Sequence, residues 1–268
     1  MAHLAVPGPF DLALTTERFR AFGVDRANVW HEGGLHRIVG GREIRIEAAP
    51  GGVDVDPLDP ETDTVVHALL GLPFELEPFY TWAAGDEVLG PSTRRLAGFR
   101  PTLAPDPFEM IVGAITAQQV SLFAALAIRN RMIERFGRRV GFAWEFPPRE
   151  RLAEASEAEL VALGFSRRKA EYTIGLARSD IDLHALAALP DDEVKARIVA
   201  VRGLGEWTAD WFLARHLARP HAWPWGDLAL RKAVSDLYGG LEAKEARDRF
   251  HPFENLSAHY LLLAQRVP

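Results

Sequence analysis

The turn Gly203-Leu204-Gly205, set between two helix-forming stretches, constrains this chain more than any other feature. Glycine adopts positive φ at little steric cost and lets another backbone come close. From Asp191 to Leu217 the pattern predicts helix, hairpin, helix, with the second helix opening at Glu206-Trp207-Thr208. The first turn of a helix leaves backbone N–H groups without partners, so it can hold an anion without a lysine. A phosphate fits that description, and so does a plain glycine turn between packed helices. Downstream, Gly226-Asp227-Leu228 places one carboxylate in a loop just before another helical run. Asp227 reads either as a helix N-cap or as an acid stabilising positive charge on a sugar as its bond to a base breaks. Trp207 and Trp211 stand one helical turn apart and share a face. Core packing is the default for such a pair. The alternative is an aromatic wall for an extruded base.

Composition narrows the chemistry. The 268 residues are 48% hydrophobic and 25% charged, the balance of a globular protein. The absence of cysteine removes disulfides, iron–sulfur clusters, thiol catalysis and cysteine-based zinc sites. No apolar run approaches a membrane span, and Met1-Ala2-His3-Leu4 lacks the basic start of a signal peptide. A cytoplasmic monomer is the expectation. The net charge of −6 argues mildly against a nucleic-acid partner, since DNA affinity usually rests on many phosphate contacts. A short contact made by backbone N–H groups remains compatible with an acidic chain. No HExxH, Walker loop, dinucleotide glycine motif or Ser-His-Asp order is present. His216 and His221 read as surface or packing residues.

The first sixty residues read as an antiparallel sheet. Short apolar runs at Val29-Trp30, Leu35–Val39, Ile44–Glu47 and Val53–Val55 are separated by Gly33-Gly34, Gly40-Gly41 and Gly51-Gly52. A helix over Thr62–Leu70 covers it. From Asp106 the pattern is helix after helix, with Asp106 a candidate N-cap and Pro107 in the first turn. Ser121 is a candidate cap for a second helix, leaving Gln118 and Gln119 at the junction. Further helices are expected at Arg149–Ala155, Glu157–Leu163, Arg167–Arg178, Asp191–Ala200, Glu206–Leu217, Leu228–Leu237, Ala243–Phe250 and Leu256–Gln265. Arg129, Arg131, Arg135, Arg138 and Arg139 read as a solvated helix face, with a DNA flank as the alternative. Arg167, Arg168 and Lys169 open a helix beside a glycine turn, where phosphates could meet them.

These segments together resemble the helix-hairpin-helix DNA glycosylases, specifically the AlkA-type 3-methyladenine DNA glycosylase II family. Five elements stand in the family's order: Asp106-Pro107-Phe108-Glu109, Ile115–Ser121, Leu163–Ala170, the hairpin Val201–Ala209 and the Asp227 loop, twenty residues past Trp207. The resemblance extends over essentially the whole chain. It implies an α+β fold, mostly helical: an N-terminal antiparallel β-sheet domain (1–95), a helical domain holding the hairpin (106–218), and a second helical subdomain (96–105 with 219–268) carrying the catalytic aspartate.

The resemblance assigns roles as follows. Asp227 is the catalytic acid. Gly203, Leu204, Gly205 and Thr208 form the phosphate-binding hairpin, with Arg167 and Lys169 as further DNA contacts. Val199, Val201 and Leu204 offer backbone carbonyls to a Na+ or K+ ion, and no other cofactor is required. Gln118 and Gln119 supply the wedge that fills the gap left by a flipped nucleotide. Trp207 stands where bifunctional relatives carry a nucleophilic lysine, which implies base release without strand cleavage. The base pocket is implied to involve Trp207, Trp211, Leu262 (at a C-terminal tryptophan position) and Arg18 or Phe19. Leu228 follows Asp227 where an aromatic is familiar. The implied activity is hydrolysis of the N-glycosidic bond of a flipped-out alkylated purine in double-stranded DNA. The alternatives are a same-fold glycosylase for deaminated or ethenoadduct bases and a non-catalytic module that binds damaged DNA.

Overall fold

The computed structural model describes residues 1–267. Five strands form one antiparallel sheet: β1 (Ala2–Ala5), β2 (Val29–His31), β3 (Gly34–Val39), β4 (Arg42–Ala49) and β5 (Gly52–Asp56), in the order β1-β5-β4-β3-β2. The β3–β4 turn needs positive φ at both residues, and Gly40 and Gly41 supply it at 54° and 73°. Helix α1 (Leu12–Thr15) leads into the sheet region, and α2 (Pro60–Leu69) packs on β3 under an Asp59–Thr62 capping box. Alternation on β4 and β5 puts Ile44, Ile46, Val53 and Val55 into the core between sheet and helix.

The rest is helical. Helices α3 (Leu76–Ala83) and α4 (Leu89–Arg95) precede α5 (Pro107–Ala117) and α6 (Leu122–Phe136). A small hairpin, β6 (Arg138–Val140) with β7 (Ala143–Glu145), follows. Then come α7 (Arg149–Glu154), α8 (Glu157–Ala162), α9 (Arg167–Arg178), α10 (Asp191–Val199), α11 (Glu206–Arg215), α12 (Leu228–Leu237) and α13 (Glu254–Ala264). Asp106, Ser121, Ser156 and Ser166 each cap the helix they precede by accepting a first-turn N–H. No helix among the described residues is long and apolar enough to cross a membrane.

Three cores divide the chain. One lies under the sheet, from Val6 to Leu70. A second joins α5 through α11, from Phe108 to Ala222, and takes in Ala27 beside the sheet. The third joins Phe74–Leu103 to Trp223–Leu263. The expected first boundary at residue 95 is therefore too late. Helices α3 and α4 bury Phe79, Leu89 and Leu96 against Phe250 and Tyr260, so they belong with the C-terminal subdomain. The sequence pattern hides both helices because Pro78 interrupts one, and Gly90 and Pro91 the other. The stretch expected as a helix over Ala243–Phe250 is a 3-10 helix at Glu245–Phe250.

A buried ion network joins the sheet to the helices. Glu109 on α5 accepts from Arg37 of β3 at 2.6 Å and from Arg129 of α6 at 2.6 Å. Arg129 also reaches Asp25 at 2.8 Å, and Arg37 reaches Asn28 at 2.8 Å. Arg129 is thus neither a solvated face nor a DNA flank. The other members of the expected basic strip are also engaged: Arg131 with the Leu163 carbonyl, Arg135 with Glu159, Arg138 with Glu145 and Arg139 with the Gly141 carbonyl.

Burial alone would raise the Glu109 pKa, but Arg37 and Arg129 outweigh it and hold the carboxyl below its ordinary value of 4.5. A depressed carboxyl stabilises the fold fully above its unfolded pKa, and that contribution is lost as pH falls through the folded value. Glu109→Gln strands two buried guanidiniums and should cost about 3 kcal/mol. Urea unfolding followed from pH 7 to pH 3 should show a smaller loss of stability in the variant than in the wild type.

Candidate active site

Helix α10, the loop 200–205 and α11 form the predicted hairpin. Gly203 sits at φ +89°, and a Cβ there would overlap the Tyr172 ring. It is required on both counts. Gly205 departs from expectation. Its φ of −117° and ψ of −178° are extended, and nothing lies within 4 Å of where a Cβ would be. Its part is to start α11 without a side-chain cap. Thr208 also departs from a phosphate role, because its side chain is buried and its N–H donates to the Gly205 carbonyl at 2.9 Å. The donors left open at this helix end are the N–H groups of Gly205, Glu206 and Trp207, which find no acceptor among the described residues. Leu204 is buried, and its N–H donates to the Val201 carbonyl at 3.1 Å.

The helix α11 aims both tryptophans at one carboxylate. Trp207 Nε1–H donates to Asp227 Oδ2 at 2.9 Å, and Trp211 Nε1–H donates to the same oxygen at 3.0 Å. The other oxygen, Oδ1, accepts from the Leu230 N–H at 3.0 Å, so Asp227 is also the N-cap of α12. Cap and candidate acid are therefore one residue. The donors are neutral, so they orient the carboxylate without cancelling its charge. Sequence spacing indicated that the indoles share a face but not that both point at Asp227.

Trp211 is not a free wall for a stacked base. It is 3% exposed, and the Arg215 guanidinium covers its ring at 3.8 Å from the centroid. His259 of α13 packs 5.7 Å from the same ring. Trp207 is half-buried and Leu262 is partly exposed, while Leu228 is 78% exposed beside Asp227. Arg18 and Phe19 pack differently. Phe19 is buried in the core under the sheet. Arg18 is partly exposed, donates to Thr102 at 3.5 Å and faces Asp25 and Arg266. Two open recesses of about 740 and 550 Å3 lie elsewhere, and neither is lined by Asp227 or the two tryptophans.

The glutamine junction divides its labour. Gln118 Nε2 donates to the Gly203 carbonyl at 3.0 Å and ties α5 to the hairpin. Gln119 is exposed at φ +56°, a left-handed conformation costly for a residue with a side chain, and is flanked by exposed Val120, Leu122 and Phe123. Lys169 is buried rather than facing solvent. Its ammonium donates to the Thr116 carbonyl at 2.9 Å and closes the end of α5. Burial lowers its pKa. Arg167 and Arg168 remain exposed at the start of α9. Residues 112–256, which hold the glutamine junction, the hairpin and Asp227, match the family model of the HhH-GPD superfamily base excision DNA repair protein.

The chain belongs to the HhH-GPD superfamily.

Across 99% of its length it superimposes on 98% of a 3-methyladenine DNA glycosylase from Archaeoglobus fulgidus, with a TM-score of 0.88 and 28% identity. It is 30% identical over 180 residues to a DNA-3-methyladenine glycosylase of Bacillus subtilis, covering 64% of this chain and 59% of that relative's length. An 8-oxoguanine glycosylase/lyase of Clostridium acetobutylicum bound to double-stranded DNA shares the fold, with a TM-score of 0.81, 19% identity and 96% and 92% of the two chains covered.

His221, His251 and Glu254 form a group that could hold a metal ion, with one donor atom from each within 4.8 Å of the others. The Glu254 carboxylate is shared by both imidazoles, at 3.0 and 3.2 Å. The cluster joins the loop that leads to Asp227 with the start of α13. Sequence spacing gave no sign of it, since the three residues are spread over a loop, a turn and a helix end.

Gly203→Ala should destabilise the fold by about 2 kcal/mol or more, from positive φ and overlap with Tyr172 together. Gly205→Ala should stay within about 0.5 kcal/mol of wild type, as at an open site. Thermal unfolding of the two variants checks the contrast.

Proposed function

We propose that this protein is a monofunctional DNA glycosylase that hydrolyses the N-glycosidic bond of a damaged, alkylated base flipped out of double-stranded DNA. The observation that carries the reading is Asp227, held by two neutral indole N–H donors and a helix N-terminus at the foot of the hairpin. As the sugar–base bond breaks, positive charge grows on the deoxyribose. A carboxylate fixed in place and still carrying its charge stabilises that oxocarbenium-like state without reorganising. Water then adds at the sugar carbon and gives up a proton to solvent. Flipping costs a few kcal/mol and is easiest at damaged or mispaired sites, so selection begins before the pocket is reached.

The neighbouring parts support the same reading. The open N–H groups of Gly205, Glu206 and Trp207 suit a DNA phosphate beside the flipped nucleotide. Gln119, strained and exposed, is the wedge, whereas Gln118 and Lys169 hold the junction in place. The carbonyls of Val199, Val201 and Leu204 can share a Na+ or K+ ion that would offset phosphate charge. Val201 spends one lone pair on the Leu204 N–H and keeps the other. Trp207 cannot form a Schiff base, so strand cleavage is not part of the reaction.

Asp227→Asn should slow base release from alkylated duplex DNA by about 100-fold or more, with duplex affinity retained. Equal rates in variant and wild type would refute the mechanism. Borohydride treatment during turnover should trap no protein–DNA adduct. Glu206→Gln removes a negative charge from the phosphate end of α11, so duplex affinity should rise about two- to fivefold at low salt, with the gain fading as salt rises.

A further inference from the structure

Glu254 opens α13, yet its carboxylate accepts no backbone N–H of that helix. Its Oε2 instead meets His221 Nδ1 at 3.0 Å, and its Oε1 meets His251 Nδ1 at 3.2 Å. The Glu254 side chain is 3% exposed, whereas those of His221 and His251 are 46% and 65% exposed. Among the described residues no lysine or arginine pairs with this carboxylate. A buried carboxylate without a permanent cation is costly unless a positive partner reaches it. The side open to solvent is lined by imidazoles, the commonest metal-binding side chains.

The fold holds the three donors in place from separate segments. The Asn255 N–H donates to the Pro220 carbonyl at 3.0 Å, and Asn255 Nδ2 donates to the carbonyls of Ala214 and Arg219 at 3.1 and 2.9 Å. The first turn of α13 is thereby fixed to the loop that carries His221. His251 follows the 3-10 helix Glu245–Phe250 directly. One donor atom from each residue lies within 4.8 Å of the others. Tetrahedral zinc with bonds of about 2.0–2.1 Å spaces its donors about 3.3–3.4 Å apart. Both nitrogen–carboxylate separations are already near that spacing. The two rings lie 5.1 Å apart and 16° from parallel, so an ion draws their Nδ1 atoms together by turning exposed side chains.

We infer that His221, His251 and Glu254 bind one divalent zinc ion, with water completing its shell. Two imidazoles and a carboxylate are a donor set that suits zinc. Imidazole donors set this site apart from the backbone carbonyls of Val199, Val201 and Leu204, which suit Na+ or K+. On binding, the ion takes the place of the protons shared between the two Nδ1 atoms and the carboxylate, and those protons pass to solvent. Its charge compensates the buried Glu254. The role is structural: the ion clips the loop that leads to Asp227 onto the start of α13, and so adds to the stability of the core that these segments share.

The test titrates the full chain, free of any affinity tag and stripped of metal, with zinc sulfate alone in a calorimeter. One equivalent should bind with a Kd of about 1 μM or tighter. With zinc about a hundredfold above Kd, the thermal midpoint should rise by about 5 °C or more. His221→Ala and, separately, His251→Ala should each weaken binding about 100-fold or more, since even a supporting hydrogen bond to a ligand is worth about 10- to 100-fold. Both replace exposed side chains, and Glu254→Gln, which keeps the shape, serves if either fails to fold. Cobalt(II) in place of zinc should give visible absorption bands that the variants lose. No one-to-one binding by the wild type, or equal binding by the wild type and both histidine variants, would overturn the inference. Either result leaves the glycosylase reading untouched.

Discussion

Two indole N–H groups on one carboxylate oxygen organise this molecule. Trp207 and Trp211 bring α11 to Asp227, and the other oxygen of Asp227 starts α12. One side chain thus fixes the angle between the hairpin helix and the helix after it. The three hydrogen bonds are all to neutral donors, so orientation is obtained with the anionic charge intact. An arginine or lysine in the same place would have oriented the acid equally well and neutralised it.

The hairpin and the helix starts around it are largely legible in the sequence. Gly203, the Asp106 and Ser121 caps and the glycine-separated strands of the sheet follow from local rules that residue type alone satisfies. What the sequence concealed lay in the direction of side chains. Spacing puts Trp207 and Trp211 on one face but does not say that the face meets Asp227. The same limit applies to Lys169, whose position beside a glycine turn reads as surface and whose ammonium in fact closes a helix end. Arg129 is a sharper case. A helical arginine among other arginines looks solvated, and only the tertiary fold brings Glu109 and Asp25 to it.

Gly205 carries a related lesson. Two glycines one residue apart invite one explanation, and the backbone gives them two. Gly203 is needed for its left-handed φ and for the room it leaves Tyr172, while Gly205 is extended and serves by lacking a cap. Equally, Arg18 and Phe19 are adjacent in sequence and diverge, Phe19 into the core under the sheet and Arg18 toward Thr102 and Asp25. The sequence could name the pair, but which way each side chain points depends on the short 3-10 turn at Glu17–Phe19.

The third core draws its residues from Phe74–Leu103 and from Trp223–Leu263, with the whole helical domain between them in the chain. During synthesis the earlier half emerges first and must wait, with Phe79 and Leu89 uncovered, until the last helix has left the ribosome. Asp227 begins a helix of that same core. The part of the molecule that holds Asp227 is therefore completed last, and a chain cut short before α13 would have its hairpin without the core that seats this carboxylate.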